Sequence, residues 1–200
     1  MKVQPSIRTK YFNGDDGKRA PSRKRLLRSF DDLPEEIQIH FEHFPCLVQQ
    51  NLPLEVALSY LFYRVELAHR DTLYCGVVKL YHANSSLARS VIQRQHITRE
   101  LFTTVFHSVF GQVFPDPIRK KLESAESIRD QAIHASEPSE AKMREAIVDV
   151  FEYAWMFNKH VVRLAGFPPF GDLRGALAGK NRLPAQTSRW LMKGLGFCLQ

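Results

Sequence analysis

Long hydrophobic runs are missing from this 200-residue chain. None approaches the roughly 20 apolar residues that a spanning helix needs. The opening Met1-Lys2-Val3-Gln4-Pro5 also lacks the apolar core of a signal peptide, so the expected location is the cytoplasm. Cysteine is scarce: Cys46, Cys75 and Cys198 are odd in number and form no Cys-x-x-Cys pair. That argues against a disulfide framework and a thiolate zinc site, and for free thiols in a reducing compartment. No strand-like alternation and no internal repeat occurs. The glycine series Gly171, Gly175, Gly179 has neither a preceding strand nor the Lys-Ser/Thr of a phosphate loop, so nucleotide binding is not expected there. Ser188 and the cysteines have no evident triad partners.

What remains is 44% hydrophobic and 24% charged, enough for one substantial core with an appendage. The net charge of +7 is unevenly spread. Residues 1–28 hold nine Lys/Arg against two Asp, residues 29–165 fourteen against eighteen acids, and residues 166–200 five against one. The basic excess therefore belongs to the flanks. Flanks of this kind either neutralise phosphates, giving salt-dependent affinity for nucleic acid, or act as solubilising arms.

Residues 1–29 have no sustained apolar period and read as a basic flexible arm. Asp31-Asp32-Leu33-Pro34-Glu35-Glu36 reads as a capped helix start, with the helix running to Phe44 and stopped by Pro45. On it His40, His43 and Cys46 have a spacing that metals use, but no fourth ligand is evident. Four longer helices are expected at 54–83, 98–113, 117–135 and 139–165, with a short one at 87–94. Gly76 weakens the first by about 1 kcal/mol without breaking it. The last, with Val148, Phe151, Trp155 and Val162 widening its apolar face, is too broadly apolar for one packing partner. Either the C-terminal tail or a second protomer should cover it. Residues 166–200 are rich in Gly, Pro and cations, with Phe167, Phe170, Trp190, Leu191 and Phe197 expected to dock parts of them on the body. The fold class is all-α: a four-helix up-down bundle over 30–165 with an additional N-terminal helix and irregular flanks.

The stretch Arg129-Asp130-Gln131-Ala132-Ile133-His134 closes the 117–135 helix. Asp130 and His134 are i,i+4 neighbours on one face. Arg129 continues the apolar stripe Ile118, Leu122, Ala125, where a cation must find an anion or line a cavity. Pairs on helix faces are common, so an ordinary solvated helix end is the bland reading. Tyr153 and His160, on the following helix, are expected in the core or on the surface rather than facing this stretch.

The helix pattern over about residues 50–165, together with Arg129, Asp130 and His134 before the Ser136–Ser139 break, resembles the HEPN (higher eukaryotes and prokaryotes nucleotide-binding) domains. These are helical bundles marked by Arg, a polar residue, several further residues and His near the end of the third core helix. Ser136 stands where some members carry a modifiable Tyr. The resemblance implies a metal-independent endoribonuclease with no cofactor, acting as a homodimer that joins two motifs in one cleft. Its products are a 2′,3′-cyclic phosphate and a 5′-hydroxyl. His134 would serve as general acid or base, and Arg129 would bind the scissile phosphate. Asp130 would either orient the imidazole or pair with Arg129. A toxin or antiphage effector restrained by an inhibitory partner protein is a variant of this reading. A non-catalytic RNA- or protein-binding module of the same fold is the alternative.

Overall fold

The computed structural model describes residues 20–134, 138–173 and 182–199, and at His134 the backbone alone. Among the described residues every regular element is an α-helix. They are α1 (Arg23–Asp31), α2 (Glu35–His40), α3 (Phe44–Gln49), α4 (Leu54–Leu80), α5 (Ser85–Arg94), α6 (Arg99–Phe110), α7 (Asp116–His134), α8 (Glu140–Ala165) and α9 (Ala185–Gly194). The all-α expectation holds. Most of the expected basic arm, and the stretch 174–181 with Gly175 and Gly179, lie outside the described residues. The chain divides into two compact units: Met1–Tyr63 with Arg119–Trp155, and Arg64–Ile118 with Met156–Gln200.

The first unit corrects the expected N-terminus. Residues 23–29, read as arm, belong to α1, capped by Ser22 Oγ accepting from Arg25 N at 3.2 Å. Leu26 and Phe30, one turn apart, are buried, so two apolar residues suffice to dock a helix whose other positions are mostly basic. Arg23 adds an ion pair to Glu140 at 2.6 Å and a hydrogen bond to the Leu52 carbonyl at 3.0 Å. The single helix expected over 34–44 is two. Asp31 and Asp32 end α1, α2 starts at Glu35 without a side-chain cap, and Pro45 opens α3 rather than stopping α2. A proline lacks the N–H that a helix interior needs but costs nothing in a first turn.

The ring of Phe151 on α8 is the hub of this unit's core. Its centroid lies 5.9 Å from that of Phe30, 6.2 Å from Phe41 and 5.0 Å from Phe44. Around Phe151 the wide apolar arc of α8 is covered by the chain's own N-terminal helices, while at Phe157 it meets Phe170 of the C-terminal segment, as expected, at 6.2 Å. Leu54, Ala57, Leu58 and Leu61 of α4, with Leu122 and Ala125 of α7, are among the other buried residues of this unit. A polar seam joins α7 and α8. Lys121 pairs with Asp149 at 3.2 Å and with Glu152, and Ser124 Oγ donates to Asp149 at 3.0 Å.

In the second unit α6 is capped by Thr98 Oγ1, which accepts from Leu101 N, and closed by Gly111 in the left-handed region at φ 67°. Its Phe102, Phe106 and Phe110 pack in series, with Phe114, Phe157 and Phe170 around them. At Gly76 of α4 the side chains of α6 approach closely: a Cβ there would stand 2.7 Å from Val109 Cγ1 and 2.8 Å from Phe110 Cζ. Of the C-terminal aromatics expected to dock, Phe167, Phe170 and Phe197 are buried, whereas Trp190 is 66% exposed.

Candidate functional site

α7 begins at Asp116-Pro117, as the sequence leads one to expect, and ends at His134, so the motif occupies its last two turns. Arg129 is half-buried, and its guanidinium carbon lies 4.3 Å from the centroid of the Phe62 ring on α4. Nε and Nη2 both donate to Asp130 Oδ1, at 3.0 and 2.8 Å, and Nη2 also reaches Glu126 Oε1 at 3.3 Å. The cation that interrupts the apolar stripe therefore has two carboxylates of its own helix and an aromatic face.

Of the two roles open to Asp130, the pairing with Arg129 is formed through Oδ1. The side chain of His134 lies outside the described residues, so the helix backbone alone places the expected Arg and His five positions apart at the same helix end. Glu126 and Phe62 were not among the expected site residues. The i,i+3 spacing of Glu126 and Arg129 was a readable signal for the first. Nothing local in the sequence marks Phe62, which meets Arg129 only through the tertiary fold.

Other expected positions separate from the motif. Tyr153 is completely buried, and burial raises its phenol well above the ordinary range. His160 is also buried, beside Phe106 and 3.5 Å from Arg163 Nη2; burial, then the Arg163 charge, hold its imidazole below the ordinary range. Both are core residues of their units. His40 ends α2 while Cys46 belongs to α3, and Cys46 Sγ accepts from Gln50 Nε2 at 3.2 Å. Among the described residues no three His, Cys, Asp or Glu side chains gather in a metal-binding arrangement, and no helix is long and apolar enough to cross a membrane.

Comparison with known proteins returned no matching family model, no matching curated protein and no matching solved structure.

Proposed function

We propose that the chain is a HEPN-type, metal-independent endoribonuclease acting as a homodimer, built on the family's four-helix bundle. The observation that carries this reading is the setting of Arg129. A guanidinium is held on an aromatic face by two carboxylates, at the end of a helix that finishes on a histidine. A positioned planar fork suits a phosphodiester. A helix C-terminus favours the cationic form of an imidazole, which suits a histidine that protonates a leaving group.

In the reaction the ribose 2′-oxygen attacks phosphorus and loses its proton to one histidine. The 5′-oxygen leaves and takes a proton from a second, the other protomer's. Arg129 offsets the charge gathering on the phosphoryl oxygens. No water is consumed, and the products are a cyclic phosphate and a 5′-hydroxyl. With the arc of α8 at Phe151 covered from within, support for pairing rests on the apolar surface near the motif: Ile133, one turn beyond Arg129, is 59% exposed, and Tyr63, next to Phe62 on α4, is exposed as well.

The test is cleavage of single-stranded RNA by the full chain with and without chelator. His134→Ala and Arg129→Ala are each expected to abolish cleavage while helicity persists, because removing exposed pairs and one cation–π stack costs only about 1–2 kcal/mol. Chelator should change nothing. Activity removed by chelator, or kept in both variants, overturns the proposal.

The second reading, a non-catalytic module, draws on the same geometry: Arg129 already satisfies its charge with Glu126 and Asp130. Its mark would be RNA or protein binding with no cleavage at any pH.

A further inference from the structure

Two stretches of this chain contain no acid at all. Residues 72–99 carry Lys79, Arg89, Arg94 and Arg99 without one Asp or Glu, and residues 173–200 carry Arg174, Lys180, Arg182, Arg189 and Lys193 likewise. Far apart in sequence, they are joined in the second unit. Arg182 Nη1 donates to the Val78 carbonyl at 2.6 Å, near the end of α4, and Leu183 N donates to the His82 carbonyl at 2.8 Å. Asn84 N, at the start of α5, donates to Ser188 Oγ at 2.8 Å. At the other end of α5, Gln95 makes a reciprocal pair with the Cys198 backbone, at 2.8 and 3.2 Å. The early part of α9 is thus tied to the start of α5, and the residues just after α9 to its end, so the two helices lie side by side and run the same way.

Their facing sides are buried: Ala88 and Ile92 on α5, Ser188 and Met192 on α9. Their outer sides expose Arg89 and Arg94, Arg189 and Lys193. Among the described residues Arg94, Arg189 and Lys193 have no ion-pair partner. A cavity of about 410 Å³ opens along α5, lined by Tyr74, Ser85, Ser86, Ser90, Arg89 and Arg94 among others, with no carboxylate in its wall. Arg89 stands over the Tyr74 ring at 4.5 Å. Arg89 also lines a neighbouring cavity with Asp71 and Asp172.

We propose that the paired face of α5 and α9 docks single-stranded RNA, apart from the Arg129 motif. Arg94, Arg189 and Lys193 hold backbone phosphates, and the Arg89 cavity takes one phosphate among its serine hydroxyls. The Trp190 indole stacks on an unpaired base. Cations flanking an exposed aromatic ring are what a single strand requires, because every base offers a stacking face and every linkage a charge. A duplex hides those faces. A lipid surface fits less well, since an interfacial helix needs a broad apolar side. α9 has turned Met192 inward and leaves Trp190 as its one large exposed apolar residue. The choice of RNA over DNA rests on the proposed ribonuclease reading; the surface itself does not.

The experiment measures anisotropy of fluorescein-labelled oligo(U) with the full chain carrying His134→Ala, over a series of salt concentrations, so binding is read whether or not the parent cleaves. Adding Arg94→Gln with Arg189→Gln should make the slope of log affinity against log salt shallower by about 1.4, because each phosphate of a single strand left without its cation removes about 0.7. Trp190→Ala should weaken binding on the order of tenfold and leave the slope unchanged. All three positions are exposed, and circular dichroism checks that the variants stay folded. Unchanged affinity in both variants, equal affinity for duplex RNA, or a loss seen on phosphatidylserine vesicles instead of oligo(U) overturns the surface. A parent that fails to cleave RNA while these losses appear removes the ribonuclease reading alone.

Discussion

Arg129 and Phe62 face each other at 4.3 Å, guanidinium over ring, across α7 and α4. Phe62 is 5% exposed, so the cation lies against a surface that water does not reach. Such a stack is worth about 0.5–1 kcal/mol beyond the hydrogen bonds that Arg129 makes. Phe62→Leu keeps the apolar bulk and removes the π face. In a double-mutant cycle of Phe62→Leu with Arg129→Ala, followed by urea unfolding, a coupling energy of about 0.5–1 kcal/mol is expected. Zero coupling would mean that the ring positions nothing.

Gly76 sits mid-helix, where alanine would ordinarily add about 1 kcal/mol. Here the new methyl would lie 2.7 Å from Val109 and 2.8 Å from Phe110, both buried. Overpacking of that kind costs about 1–3 kcal/mol, which outweighs the gain in propensity. Gly76→Ala should therefore lower the urea midpoint. A raised midpoint would show that α4 and α6 can part there cheaply.

His69 is stacked on Phe102 with centroids 3.9 Å apart, and burial pushes its imidazole down to about 3 from an ordinary 6.5. The unfolded chain then binds a proton that the folded chain refuses. The stability from a neutral His69 is complete above pH 6.5 and drains away as pH falls toward 3. At pH 5 the loss amounts to about 2 kcal/mol. In His69→Gln, urea unfolding at pH 7.5 and pH 5 should differ by about 2 kcal/mol less than in the parent. An identical difference in both proteins would place the titration elsewhere.

The long helices were legible because their signals are local. Asp116-Pro117 opens α7, Thr98 caps α6, and the spaced apolar residues of α8 fix its face. The N-terminal region was not. In α1 only Leu26 and Phe30 carry the apolar pattern amid Arg23, Lys24, Arg25 and Arg28, and charge density there resembles that of an unstructured arm. Pro45 is a stop and a start signal at once, and which one applies depends on what Phe44 packs against. At the motif, the pairing of Arg129 with Glu126 and Asp130 follows from spacing along one helix. The Phe62 stack, like the tie of α9 to α5, joins positions that no periodicity connects.

The Phe151 hub also sets an order of events at the ribosome. Phe30, Phe41 and Phe44 are made more than a hundred residues before the ring they pack around. At ordinary synthesis rates those three rings wait on the order of ten seconds without their partner. In that interval the nascent N-terminus presents sticky aromatic surface to chaperones and to its neighbours on the polysome.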